Sequence, residues 1–159
     1  MKNIVFVRID DRLIHGQVMT AWVHNKNANE IVVIDDEVAN DDFLIMIMKS
    51  VIPENIMLKI LSCDTAASYL EKDDPNINNR IIVLVKNPKT IYRLIQKGVK
   101  LTHLNVGGMG ATKERKKLFR NIAATDEERE LFREIIKEGV NVEIQVIPDD
   151  KSVDINKYL

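Results

Sequence analysis

The stretch IVFVRIDDRLIHGQVMTAW, residues 4–22, contains the unit from which the fold is predicted. Its first part, Ile4 to Ile9, is a nearly continuous apolar run rich in β-branched side chains, which is typical of a strand covered on both faces. From Gly16 to about Asn25, apolar residues including Trp22 recur at helical spacing, so we expect a helix there. A strand, a short polar turn and a helix in this order predict the first βα unit of an α/β protein.

The same alternation continues along the rest of the chain. Apolar runs of strand length predict further strands at residues 30–34, 56–61, 80–85, 101–106 and 140–147, and we favour a strand for the ambiguous residues 118–124. The helical signals between them are an apolar stripe from Phe43 to Val51 that Pro53 ends, a cap at Asp64, Pro88 inside a helix start, and the capping-box pair Thr125 and Glu128. We therefore predict a single domain over residues 1–159, a three-layer α/β/α sandwich with a mainly parallel central sheet.

The composition excludes several classes of protein. Because the chain has 23 basic and 24 acidic side chains, it lacks the basic excess with which proteins bind the phosphates of nucleic acids. The single Cys63 cannot form an internal disulfide, and with three histidines it makes no repeated zinc-ligand pattern. The longest uncharged apolar run, Phe43 to Met48, is too short for a membrane span, and Arg8 comes too early for a signal peptide. We expect a soluble domain of a reducing compartment.

Polar residues at the ends of the predicted strands are the candidates for chemistry, since open parallel sheets bind ligands beyond the carboxyl ends of their strands. The segment after the first strand is the densest, with Arg8, Asp10, Asp11, Arg12 and His15 within eight residues. His15 directly precedes the predicted helix start, where unpaired backbone N–H groups and the helix dipole favour an anion.

The residues around His15 suit a histidine that carries a phosphoryl group. Such a histidine needs one neutral ring nitrogen as nucleophile, while an acceptor holds the N–H of the other. The transferred group carries nearly two negative charges and three acceptor oxygens. Arg8 and Arg12 would bind these oxygens with their guanidinium groups, and Gly16 and Gln17 with their backbone amides.

The two aspartates of the segment need other roles, because a carboxylate beside a phosphate repels it. Asp10 helps only if it faces the far ring nitrogen of His15 or orients an arginine, and Asp11 is expected to cap the turn or pair with an arginine. The purely structural interpretation is a solvated loop histidine among surface ion pairs worth about 0–1 kcal/mol each. Elsewhere, Cys63 and His103 are expected to be packed in the core.

The glycine-rich segment after the fifth strand is a weaker candidate. Gly108-Met-Gly110 begins a dinucleotide-binding fingerprint, but Lys113 stands where the third glycine belongs, and the segment follows the fifth strand rather than the first. No P-loop sequence occurs in the chain. We therefore predict neither a nucleotide cofactor nor a metal, and interpret the segment as a tight turn or as a second wall of the His15 site.

A competing hypothesis is a magnesium-dependent phospho-aspartate receiver that uses Asp10, Asp11 and Asp64. Such a site needs a hydroxyl group after the fourth strand and a lysine after the fifth, whereas this sequence has Lys86 and Asn105 there. The residues that follow these two strands are therefore not those that a receiver site requires. A non-catalytic interaction domain with the same fold is the other alternative.

The run VRIDDRLIHGQV, residues 7–18, resembles the active-site loop of the IIB component of the mannose–fructose–sorbose family of bacterial sugar phosphotransferase systems. The resemblance continues through IVVIDDEVANDDF (31–43), LNVGGMG (104–110) and VEIQVIPDD (142–150), so it spans nearly the whole chain. Relatives frequently carry a residue larger than Gly110 in the second of these loops. A glycine there is expected to loosen that loop.

The resemblance implies an α/β/α fold and a phosphoryl carrier without metal or nucleotide cofactor. The histidine at position 15 would accept phosphate from the phosphohistidine of a IIA component and transfer it to a hexose held by the membrane components IIC and IID. The family's site positions carry over as catalytic His15 and Asp10, phosphate-binding Arg8, Arg12, Gly16 and Gln17, and a neighbouring loop with Asn105, Gly107 and Gly108. Such a chain is cytoplasmic and peripherally associated with the membrane permease. A homodimer stays open, since the stripe from Phe43 to Val51 suits either an interface or, as we expect, the core.

Overall fold

The structure, a computed structural model, describes residues 1–159 apart from the side chain of Gln17. Its strands are β1 (Ile4–Asp10), β2 (Glu30–Ile34), β3 (Met57–Leu61), β4 (Ile81–Val85), β5 (His103–Gly108), β6 (Lys116–Phe119), β7 (Ile122–Ala124), β8 (Asn141–Ile144) and β9 (Val153–Asp154). Its α-helices are α1 (Gly16–Lys26), α2 (Asp42–Val51), α3 (Cys63–Glu71), α4 (Pro88–Gln96) and α5 (Asp126–Lys137).

The predicted α/β architecture is confirmed. The central sheet has the strand order β3-β2-β4-β1-β5-β8-β9, in which all neighbours are parallel except the antiparallel pair β8 and β9. β2 and β4 are buried along their whole length, and apart from Glu30 at the start of β2 their sequences are entirely apolar, as expected of strands covered on both faces. Since β1 lies between β4 and β5, its carboxyl end is at the centre of the sheet edge.

Helices cover both faces of the sheet and give the predicted three layers. On one face, Met19 and Trp22 of α1 pack with Leu44 and Met48 of α2 in one apolar cluster. On the other face, helices α3, α4 and α5 pack in a second cluster through residues such as Leu70. None of the described helices is long and apolar enough to cross a membrane.

Several local predictions were wrong. β5 continues through Gly107 and Gly108, so these glycines lie in a strand rather than in a turn, and His103 is exposed at the start of β5 rather than packed in the core. Residues 118–124 are part of a separate two-stranded hairpin, β6–β7, rather than one strand. The last strand is the unpredicted two-residue β9, and β8 ends at Ile144.

The residues that begin the helices were predicted correctly from the sequence in two of three cases. The predicted capping box of α5 is present, with Thr125 and Glu128 each bonding the other's backbone N–H. Pro88 occupies the first turn of α4 as predicted. At α3, however, the capping side chain is Ser62 rather than Asp64, because the Ser62 hydroxyl accepts the hydrogen bond from the backbone N–H of Thr65.

Only part of the apolar stripe of α2 packs in the core. Leu44 and Met48 pack against the sheet, whereas Phe43, Ile47 and Val51 are exposed, so the expectation of a core role is wrong for these three. A ten-residue helix with apolar side chains on more than one face can bury only the face that meets the sheet.

Candidate functional site

The carboxyl end of β1 places two charged side chains inside the protein. Arg8 and Asp10 point to the same face of the sheet, since they are two residues apart in a strand, and both are buried. Arg8 lies beside Asn105 of β5 in the register of the sheet, and Asp10 lies beside Gly108. A buried arginine and a buried carboxylate are stable only as a hydrogen-bonded pair, and here Nη2 of Arg8 donates to Oδ2 of Asp10 over 3.1 Å.

Two glycines of β5 create the space for this pair. A methyl group at Gly107 would overlap the guanidinium group of Arg8, and one at Gly108 would lie 2.7 Å from Oδ1 of Asp10. At Gly110, by contrast, the nearest atom to such a methyl group would be Oδ2 of Asp11, at an ordinary 3.4 Å. Gly107 and Gly108 are therefore required by close approach, whereas Gly110 has room for a larger side chain.

Asp10 is the centre of the hydrogen-bond network. Its Oδ1 accepts bonds from the backbone N–H and from Nε of Arg12, both at 3.1 Å. Its Oδ2 accepts from Nη2 of Arg8, from Nη2 of Arg12 at 3.2 Å and from Nε2 of His15 at 2.8 Å. Asp10 thus does both things required of it by the sequence argument: it faces a ring nitrogen of His15 and orients two arginines.

The electrostatic state of Asp10 follows from two opposing effects. Burial by itself favours the neutral acid, but the hydrogen bonds from Arg12 and His15, with the charge of Arg8, outweigh it. The pKa of the Asp10 carboxyl therefore lies below its usual value, and the group is a carboxylate at neutral pH. An ionised carboxylate can only accept hydrogen bonds, so Nε2 of His15 must carry the proton.

His15 is held at the start of α1 in the orientation that nucleophilic attack requires. It is the N-cap residue, with an extended backbone, and the loop reaches it through Leu13 and leaves it through Gly16, both at positive φ. With its proton on Nε2, the ring presents Nδ1 as the unprotonated nitrogen. The side chain is 22% exposed, so a partner protein can reach it. The N–H groups of the first turn of α1 lie next to it in the chain.

The two arginines of the motif differ in what they can contact. Arg8 is enclosed: Nη1 donates to Oδ1 of Asn105 over 2.6 Å and to the backbone carbonyl of Gln145 over 3.1 Å. The ring of Trp22 lies 5.6 Å from its Cζ atom, and burial lowers the pKa of its guanidinium, against the effect of Asp10. Arg12 forks onto Asp10 but is 53% exposed, so it can also reach an incoming anion.

A second network ties the active-site loop to the segment after β5. Oδ2 of Asp11 accepts hydrogen bonds from the backbone N–H of Gly110 over 2.7 Å and from Nη1 of Arg115 over 3.3 Å. Arg115 in turn forks onto Glu128, with two bonds of 2.8 Å, and Glu128 caps α5. Asp11 therefore pairs with an arginine, as predicted, and this arginine anchors both loops to a helix start.

Most of the predicted site residues are brought together by the structure. Gly16 is the first residue of α1, whereas the side chain of Gln17 lies outside the described residues. The residues that form one connected set around His15 are Arg8, Asp10, Arg12, Asn105, Gly107 and Gly108.

Sequence reasoning missed three contributors. Arg115 lies within a charge run that gave no reason to single it out, and Gln145 contributes a backbone carbonyl, for which no sequence signal exists. Trp22 was interpreted only as part of a helix face, although it also lies beneath Arg8.

The aspartates do not assemble the receiver site of the competing hypothesis. Asp10 is surrounded by cationic and N–H donors, Asp11 pairs with Arg115, and Asp64 pairs with Lys97 over 2.7 Å. Among the described side chains, no group of three or more potential metal ligands converges. A carboxylate already bound to two arginines is a poor ligand for Mg²⁺ and a poor phosphoryl acceptor.

Comparisons with known proteins identify the family of the chain. The family model of the "PTS system sorbose subfamily IIB component" matches residues 4–159. A fructose-specific EIIB component of Bacillus subtilis (strain 168) is 32% identical over 160 residues, which cover 100% of this chain and 97% of that protein. An N-acetylgalactosamine-specific enzyme IIB component 1 of Escherichia coli (strain K12) is 32% identical over 96% of each chain. The crystal structure of the IIBSor domain of the sorbose permease of Klebsiella pneumoniae superimposes with a TM-score of 0.93 at 30% identity, over 99% of this chain and 96% of that one.

Proposed function

Because the chain belongs to the sorbose subfamily of the IIB components of the phosphotransferase system, we propose that His15 takes a phosphoryl group from the phosphohistidine of a IIA component and transfers it to a sugar. IIB components of this type are phosphotransferases of sugar transport. One observation carries the assignment of His15: the bond from its Nε2 to Asp10 leaves Nδ1 as the nucleophile on a partly exposed ring.

The first transfer requires no proton to move. The lone pair of Nδ1 forms a bond to phosphorus, the N–P bond of the donor breaks, and its electron pair stays on the donor imidazole. The ring of His15 becomes an imidazolium that keeps its proton on Nε2, and the carboxylate of Asp10, 2.8 Å away, stabilises that positive charge. Arg12 and the N–H groups of the first turn of α1 bind the phosphoryl oxygens.

The buried Arg8 has a different role from Arg12 in this proposal. Its guanidinium is occupied by Asp10, Asn105 and Gln145, so it acts on the reaction through Asp10 as a positioning residue. The second transfer reverses the first: the sugar hydroxyl attacks phosphorus, the electron pair of the N–P bond returns to Nδ1, and the hydroxyl proton goes to a base. Asp10 is engaged with the ring and the arginines, so this base comes from the membrane partner.

The proposed partners are the IIA component as donor and the membrane-embedded IIC and IID components as acceptor. We propose that residues 1–159 work as one IIB domain at the cytoplasmic face of the membrane, beside the permease. The phosphoryl donor is itself a protein, so the reaction calls for no nucleotide cofactor on this chain. The sugar is expected to be a hexose or a hexose derivative, by analogy with the sugars named for the relatives.

The proposal is tested by transfer from a radiolabelled, phosphorylated IIA component. The protein is expected to take up label, and the product should be acid-labile and alkali-stable, as a phosphohistidine is. The label should then pass to sugar when membranes that contain the permease are added. No uptake would contradict the proposal, and a hydroxylamine-sensitive product that forms only with Mg²⁺ would show that an aspartate rather than His15 is the acceptor.

Replacing Arg12 by alanine is expected to slow acceptance by about 10²-fold, since an exposed cation that binds the transferred oxygens acts in the transition state. The free energy of unfolding should change by only about 1 kcal/mol, because the side chain is half exposed and Asp10 keeps its bonds to Arg8 and His15. Rapid-quench transfer and urea unfolding measure the two effects. Arg12→Lys keeps the charge but not the forked guanidinium, so its transfer rate should lie between those of wild type and Arg12→Ala. An unchanged transfer rate in Arg12→Ala would exclude this role of Arg12.

A further inference from the structure

The outer side of α2 carries an exposed apolar surface, formed by Phe43, Met46, Ile47 and Val51 and called here the α2 face. Phe43 is 64% exposed and Val51 is 58% exposed. Because Phe43, Ile47 and Val51 are spaced four residues apart, they lie on the same side of the helix. Scattered apolar side chains are normal on a protein surface, but four on one side of a ten-residue helix form a contiguous patch. Such patches indicate a binding surface.

The α2 face is continuous with the site of phosphoryl transfer. A groove of about 280 Å³ runs between α1 and the carboxyl end of α2, and Val51 belongs both to this groove and to the α2 face. The groove is also lined by Ile14 and Gly16, which are the residues on either side of His15 in the chain. A partner that brings a reacting group to the ring of His15 therefore meets the groove and can cover the α2 face.

The rim of the α2 face is acidic. Glu37 precedes α2, Asp42 begins it and Glu54 follows it; all three are exposed, and none has an ion-pair partner among the described side chains. Lys49 is the single basic residue of the helix. This charge disfavours a second copy of the chain, whose own acidic rim would meet it, and it also disfavours direct contact with anionic lipid headgroups.

We propose that the α2 face and the adjoining groove are the docking surface for the membrane-embedded acceptor component, through its basic cytoplasmic loops. The inference rests on the proposed function. Membrane proteins concentrate lysine and arginine in their cytoplasmic loops, so an apolar face with an acidic rim complements them in both respects. Asp11, in the loop that carries His15, is by contrast paired with Arg115.

The test measures the two transfer steps separately in the same protein. In the double variant Phe43→Ser/Ile47→Ser, acceptance from phosphorylated IIA should stay within about twofold of wild type, since neither residue contacts the site. The second step is transfer from the phosphorylated variant to sugar in the presence of membranes that contain the permease. Its KM for the variant should be raised about tenfold or more at unchanged kcat, because a docking surface binds the partner equally in the ground state and in the transition state. Asp42→Lys should raise the same KM, and added salt should raise it for wild type.

Ile77→Ser is the matched control, since Ile77 is 87% exposed and lies just before β4, at the edge of the sheet opposite His15. Both of its transfer steps should equal those of wild type. The inference is overturned if the double variant keeps the wild-type KM for the permease, if its acceptance from IIA is the step that weakens, or if sedimentation shows wild-type dimers that the variant loses. A wild-type protein that takes no phosphate from IIA would overturn the proposed function instead.

Discussion

We expect replacement of His15 by alanine to abolish acceptance of phosphate from the IIA component, the largest effect of any single substitution. No other side chain at the site can replace it, because Asp10 and both arginines are engaged with one another and the arginines are not nucleophiles. The expected transfer rate is indistinguishable from the background of a reaction without the protein. The measurement is single-turnover transfer from radiolabelled, phosphorylated IIA, followed by gel separation.

The fold should survive this substitution. The ring of His15 contributes one of five hydrogen bonds to Asp10, and the remaining four come from Arg8 and Arg12. Circular dichroism and the midpoint of urea unfolding check this. His24→Ala is the matched control, because His24 is an exposed histidine on the same helix and should leave transfer unchanged. Label retained by His15→Ala would show that another residue is the acceptor.

The parts of this fold that could be predicted are those specified by local patterns. Short apolar runs rich in β-branched residues identified β2 and β4, and the pair Thr125 and Glu128 identified the start of α5. β9 could not be predicted, because it is only two residues long and exists through pairing with β8. The exposure of Phe43 depends on which face of α2 meets the sheet, and the apolar residues of α2 alone do not specify that face.

At the candidate site, likewise, the features that depend on neighbouring residues could be predicted from the sequence, and those that depend on distant residues could not. Arg8, Asp10, Arg12 and His15 lie within eight residues, and the need for an acceptor on the far ring nitrogen pointed to Asp10. The sequence could not distinguish the enclosed arginine from the exposed one. That difference arises from Asn105, 97 residues away, and from the close approach of Gly107, which together remove Arg8 from solvent.

Replacing Asp10 by asparagine is the second substitution with a large expected effect, and it acts on both activity and stability. An amide has no charge to stabilise the phosphorylated imidazolium, and it no longer compels the proton to stay on Nε2. The comparable change in a Ser-His-Asp triad lowers kcat about 10⁴-fold. We expect acceptance by Asp10→Asn to fall by about 10³–10⁴-fold, measured by the same single-turnover transfer.

The stability effect of Asp10→Asn has a definite pH dependence. The substitution leaves the buried charge of Arg8 without its partner, and breaking a buried pair in this way costs about 3–5 kcal/mol. The pKa of Asp10 is lowered in the folded protein, so the carboxylate stabilises the fold above its unfolded pKa of about 3.9 and loses this effect as the pH falls through the lower, folded value. The difference in free energy of unfolding between wild type and Asp10→Asn should therefore be largest near neutral pH and shrink below about pH 4.

A double variant separates the two effects of Asp10. Arg8→Met combined with Asp10→Asn removes both buried charges, so neither is left in the interior without its partner, which is the costly part of breaking a buried ion pair. The double variant should therefore recover much of the free energy of unfolding that Asp10→Asn loses, as measured in urea. Its transfer rate should stay as low as that of Asp10→Asn, because the carboxylate that holds the proton on Nε2 of His15 and stabilises the imidazolium is still missing. Recovery of the rate together with the stability would mean that Asp10 serves only to neutralise Arg8, and that the ring of His15 is oriented by something else.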